Sequence, residues 1–104
     1  PGFLVLDEPT ASLDYGNMVR VMSKICDLRD KGIGIIMTTH TPDHAFMCQA
    51  KVVLLQRDEP LLFGFSTDII TEKNLKRAYG ISVKLVEYSD HRGRFMRMCS
   101  PIID

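Results

Sequence analysis

Phe3-Leu4-Val5-Leu6-Asp7-Glu8-Pro9-Thr10-Ala11-Ser12-Leu13-Asp14 is the stretch on which the fold turns. Its first four residues form a continuous apolar run, the composition of a strand covered on both faces, and the run stops at two carboxylates. Successive side chains at a strand end point in different directions, so adjacent acids there can divide two tasks: holding a cation and activating a water. An isolated Asp-Glu-Pro is ordinarily a polar turn, and the chain carries its own control. Leu54-Leu55-Gln56-Arg57-Asp58-Glu59-Pro60 also ends an apolar run in Asp-Glu-Pro, but without Thr-Ala-Ser-Leu-Asp behind it. We read this second copy as a plain turn and the first as a candidate site.

Working outward, Asp14 stands where a helix N-cap belongs. Tyr15, Met18, Val19, Met22, Ile25 and Cys26 then recur at helical spacing, predicting a helix from about Tyr15 to Lys31 that stops at Gly32. That stripe of Met and aliphatic side chains reads as a core face rather than a ligand site. Gly34–Thr39 is a second apolar run, ending in Thr38-Thr39-His40. Pro42 at a first helical position opens a short helix to about Gln49, and a third strand follows over Lys51–Gln56. Strand–helix–strand–helix–strand with short links predicts an α/β unit with a parallel sheet. The pattern then changes. A turn at Arg57–Pro60, a return strand over Leu61–Phe65 and a small helix over Thr71–Tyr79 closed by Gly80 come first. Two alternating runs, Ser82–Ser89 and Gly93–Ser100, around Asp90-His91-Arg92-Gly93 read as a hairpin. The sequence thus predicts an α/β half-domain followed by an α+β appendage.

Composition excludes several classes. The chain has 104 residues, 45% of them apolar and 25% charged, with a formal net charge of zero. These are ordinary values for a globular protein, and they give no basic signal for nucleic acid. Cys26, Cys48 and Cys99 are odd in number and widely spaced, which reads as reduced thiols rather than a disulfide framework or a zinc site. No apolar run approaches the roughly 18 residues that span a bilayer. Opening in mid-strand at Pro1-Gly2, the chain is expected to carry no signal peptide.

His40 ends its strand 32 residues beyond Glu8. The carboxyl ends of parallel strands are where α/β sheets place their ligands, so His40 joins Asp7 and Glu8 as a candidate. Its spacing to His44 suggests a metal pair, but Pro42 between them disfavours one uninterrupted helix presenting both. His44 and His91 read as surface or capping residues. Arg92, Arg94 and Arg97 could form a phosphate-binding patch, yet around a hairpin they read as solvated.

Phe3 through Asp14 resembles the Walker B strand and D-loop of ABC-type ATPases, and Met37–Phe46 is similar to the H-loop region of those that power importers of iron-siderophore, haem, cobalamin and related chelates. The resemblance covers residues 1–65 and leaves 66–104 as an appendage without a motif. The 104 residues contain no Gly-x-x-x-x-Gly-Lys-Ser/Thr phosphate loop and no Leu-Ser-Gly-Gly-Gln signature. The likeness therefore implies a partial P-loop NTPase fold, the carboxyl-terminal half of a nucleotide-binding domain.

It also implies site roles. Asp7 would hold Mg²⁺ through water, Glu8 would act as general base toward the water attacking the γ-phosphate of ATP, and His40 would be the switch histidine contacting that phosphate. Asp14 would add to its capping a place in the D-loop, facing the nucleotide of a second ATPase subunit. Such a protein would work at the cytoplasmic face of the membrane through transmembrane permease partners. Thr41 departs from the aspartate that often follows the switch histidine, which loosens the substrate class. Two alternatives stay open: an ABC-type ATPase fragment of a DNA-repair or translation factor, and a non-catalytic module that self-associates. In the implied fold the strand missing between β-segments 34–39 and 51–56 leaves a slot, so the chain is expected either to self-associate or to close the gap with its third strand.

Overall fold

The computed structural model describes residues 2–103, leaving Pro1 and Asp104 outside the description. The chain divides into two compact units, residues 1–44 and 45–104.

In the first unit β1 (Phe3–Asp7) leads through a turn into α1 (Tyr15–Asp30), and β2 (Gly34–Thr38) follows. The two strands pair in parallel from Phe3↔Gly34 to Asp7↔Thr38, so their carboxyl ends finish side by side. Gly34 lets the Phe3 ring cross over it in this register: a Cβ there would lie 2.7 Å from the ring, which would have to shift. Helix α1 begins as the sequence predicts, with the Asp14 carboxylate accepting from Asn17 N at 2.7 Å. Met22 and Ile25 form its buried stripe. Apart from Gly34, burial alternates along the sheet. Leu4, Leu6, Ile35 and Met37 are partly buried, whereas Phe3, Val5 and Ile36 on the other face are exposed.

The boundary between units falls within α2 (Asp43–Cys48). In the second unit β3 (Lys51–Leu54) and β4 (Leu62–Phe65) pair antiparallel, Val53 opposite Phe63. Then come α3 (Ser66–Ile69), α4 (Glu72–Tyr79), and the hairpin of β5 (Val83–Ser89) and β6 (Phe95–Pro101). The core gathers Ala45, Phe46, Ile70, Leu75 and Val83, with Val52, Leu85 and Cys99 against it. Thr71 caps α4 by accepting from Asn74 N at 3.1 Å, and Gly80, at φ +73, ends it in the left-handed conformation that favours glycine. Glu72 ties this helix to the hairpin by accepting from Leu85 N at 2.9 Å. The hairpin turn is organised by Asp90, whose carboxylate accepts from Arg92 N, Arg94 N and Arg94 Nε at 2.7–2.9 Å. Desolvation raises the Asp90 pKa, but these hydrogen bonds and the Arg94 charge outweigh it and bring the carboxyl down to about 2.

The expected α/β class with an α+β appendage is what forms, with a correction to the sheet. The third strand does not extend the parallel pair. Among the described residues β3 is hydrogen-bonded to β4 alone, giving three two-stranded sheets. The Asp58-Glu59-Pro60 copy lies in a turn, as read. Helix α3 was not anticipated, because four residues are too few to show a helical period.

Candidate functional site

The site lies where β1 and β2 end together. Because Asp7 and Thr38 are register partners, the Thr38 hydroxyl reaches both acids' positions. It donates to Asp7 Oδ1 and accepts from Glu8 N at 3.0 Å. Glu8 N also donates to Thr38 O at 3.1 Å. Glu8 has turned out of the strand, with φ +46, a conformation that costs a non-glycine residue about 1 kcal/mol or more and is met where a site demands it. The turn continues with Ala11 N donating to Glu8 O at 3.0 Å and Leu13 N to Thr10 O at 3.2 Å, delivering Asp14 to its cap.

This turn aims Glu8 at His40. Glu8 Oε1 and His40 Nε2 are 3.1 Å apart, joining residues from two different strand ends. Both side chains are open to solvent, 42% and 83% exposed respectively. A carboxylate within hydrogen-bond distance of an imidazole, both facing water, is a pair able to accept and relay a proton.

Asp7 offers a carboxylate that one hydroxyl already orients. No group of three His, Cys, Asp or Glu side chains able to hold a metal occurs among the described residues. A single strand-end carboxylate still fits Mg²⁺, which keeps most of its waters and is held by one or two carboxylates plus substrate phosphates rather than by a protein cage. Asp14, the fourth predicted site residue, has its carboxylate engaged with Asn17 N.

His44 corrects the sequence reading. It is not a surface residue but 1% exposed, with Nδ1 2.8 Å from Thr39 Oγ1. Burial lowers its pKa, with Asp43 opposing the shift. His40 and His44 thus face different partners, Glu8 and Thr39. Arg97 likewise is largely shielded, donating to Thr67 O and Glu87, while Arg94 pairs with Asp90. The open depression in the second unit, lined by Phe46, Phe65, Phe95 and Arg97 among others, contains no acid or histidine. Thr38 and Thr39 were missed as site residues. The signal was present, since hydroxyls at a strand end beside two acids are natural orienting groups.

No family model matches the chain. It is 37% identical over 83 residues to an uncharacterized ABC transporter ATP-binding protein of Haemophilus influenzae, covering 80% of this chain and 32% of that one. It is 33% identical over 91 residues to the hemin import ATP-binding protein HmuV of Burkholderia thailandensis, covering 86% and 34%. With the vitamin B12 import ATP-binding protein BtuD of Citrobacter koseri it shares 30% over 92 residues, covering 86% and 36%. The chain spans about a third of the length of these curated relatives. A solved ABC transporter classed as metal-chelate type, in an inward-facing conformation, superposes with a TM-score of 0.84 at 26% identity, over 97% of this chain and 40% of that one.

Proposed function

We propose, from the premise that this chain is homologous to ABC transporter ATP-binding proteins and folds as a fragment of their ATPase, that it supplies the hydrolytic half of an ATP site in an importer of metal chelates. The observation that carries this reading is the 3.1 Å approach of Glu8 Oε1 to His40 Nε2 at the carboxyl ends of two parallel strands.

Glu8 takes the proton of the attacking water, and His40 faces the γ-phosphate and holds Glu8 in line. Asp7, oriented by Thr38, would hold Mg²⁺. Bound there, the ion would supply positive charge against the phosphate oxygens. Asp14 places the Pro9–Leu13 turn toward a second ATPase subunit. Residues 1–65 form the motif-bearing core and 66–104 the appendage. Partner permease subunits hold the protein at the cytoplasmic face of the membrane, and the cargo is a haem-, cobalamin- or siderophore-like chelate, the first two in keeping with the hemin and vitamin B12 in the relatives' names.

The phosphate-cradling amides and lysine are absent from these 104 residues. Phosphoryl transfer depends on positioning and charge stabilisation, so the isolated chain should release no phosphate above a Glu8→Gln control. In a longer protein that adds a phosphate loop, His40→Ala should lower turnover far more than nucleotide affinity. Wild-type turnover in that variant would overturn the reading.

A second reading is favoured by the exposed apolar faces. Phe3, Val5 and Ile36 line one sheet, and Val53, Phe63 and Phe65 line another, with Leu55 and Leu61 exposed just beyond its strands. Faces of this kind invite a second copy, so the 104-residue chain should self-associate. A monodisperse monomer in light scattering at micromolar concentration would exclude it.

A further inference from the structure

His40 is 83% exposed at its side chain, so packing does not fix its direction. It is carried by the backbone of the turn from Thr39 to His44, and one hydroxyl braces that turn. Thr39 Oγ1 accepts from Thr41 N at 3.1 Å, closing a loop across His40, and lies 2.8 Å from His44 Nδ1. His44 N in turn donates to Thr41 O at 3.0 Å. Thr39 and His44 therefore hold the turn at both ends, with His40 projecting between them.

The chemistry of His44 calls for such a partner. A buried imidazole without a hydrogen-bond partner is costly, and at 1% exposure His44 has little access to water. The Thr39 hydroxyl, already accepting from Thr41 N, has its hydrogen left to donate, which matches a neutral ring with Nδ1 as acceptor and the proton on Nε2. Burial favours that neutral form.

We infer that Thr39 and His44 are positioning residues, a buried hydroxyl–imidazole brace that holds His40 against Glu8. Their importance for turnover rests on the ATPase reading above, whereas the brace itself does not.

The test begins with the 104-residue chain and ¹⁵N-labelled histidines. Long-range ¹H–¹⁵N spectra at pH 7 should show His44 neutral, with the proton on Nε2. Glu8→Gln should shift the His40 ring signals in the wild-type background. In Thr39→Val that response should vanish, and in Thr39→Ser it should return with the hydroxyl. A merely structural role for Thr39 would lower stability and leave the response of His40 to Glu8→Gln intact, and that result overturns the inference. Should Thr39→Val not fold, the wild-type spectrum decides: a His44 Nδ1 whose signal shows no hydrogen bond refutes the brace. In a longer protein with a phosphate loop, Thr39→Val should reduce kcat roughly 10- to 100-fold at unchanged KM for ATP, the scale of a misplaced catalytic group. No turnover even in the wild type would sink the ATPase reading and leave the spectra to judge the brace.

Discussion

Replacing Glu8 by Gln separates the proposed chemistry from stability, because the two effects are expected at very different sizes. Gln keeps the shape of the side chain and changes nothing in the backbone at φ +46. The contacts that Thr38 makes at this position are to the Glu8 amide, which the substitution leaves in place. Only the Glu8–His40 pair is altered, and with side chains 42% and 83% exposed it is a surface interaction worth at most about 1 kcal/mol. Unfolding of the 104-residue chain in urea should therefore shift by no more than about 1 kcal/mol. Loss of a general base slows a reaction by roughly 10²–10⁴-fold, equivalent to about 2.7–5.4 kcal/mol on the barrier. In a longer protein carrying a phosphate loop, single-turnover hydrolysis should fall by that factor while equilibrium ATP binding stays near wild type. A parallel drop in binding and turnover, or a stability loss above about 2 kcal/mol, would refute the reasoning and make Glu8 a structural residue.

Asp14→Ala should cost about 1 kcal/mol of stability by removing the cap on α1, and Asp14→Ser should recover most of it in the same denaturation assay. Leu75→Ala, at the most buried position of the second unit's core, should cost about 2–5 kcal/mol, and a loss under about 1 kcal/mol would show that this core is misread. Because the folded-state pKa of Asp90 lies near 2 against 3.8 for the unstructured group, the turn's contribution is intact above pH 3.8. It should be lost as pH falls toward 2, followed by hairpin amide exchange. His44 has the opposite origin and the same sign: its lowered pKa means that the unfolded chain takes up the proton first. Stability should therefore decline as pH falls below 6.5, and His44→Gln should flatten that slope in urea titrations.

Local chemistry made much of this protein legible. Asp14 and Thr71 announce helix starts through short side chains that reach an amide three residues on, and Asp90-His91-Arg92-Gly93 announces a hairpin whose arms follow from alternation. What escaped reading depends on partners brought together by the fold. His44 looked like a surface residue because a histidine early in a short helix is usually hydrated, and only the Thr39 hydroxyl makes its burial affordable. The third strand's composition matches the first two, so nothing in it shows that among the described residues its hydrogen-bonded neighbour is the return strand β4 and not β2. The Glu8–His40 approach lies between these cases. Neither residue alone reveals it, but two apolar runs that each end in polar residues can pair in parallel with their ends aligned. The register Asp7↔Thr38 does that, so Glu8 and His40 lie one and two residues past a shared boundary. A slip of one residue would turn β2 over, exchanging the partly buried Ile35 and Met37 for the exposed Ile36, and would carry His40 to the wrong side of the turn. The same alternation that sets which side of β2 is buried therefore also sets the distance between Glu8 and His40.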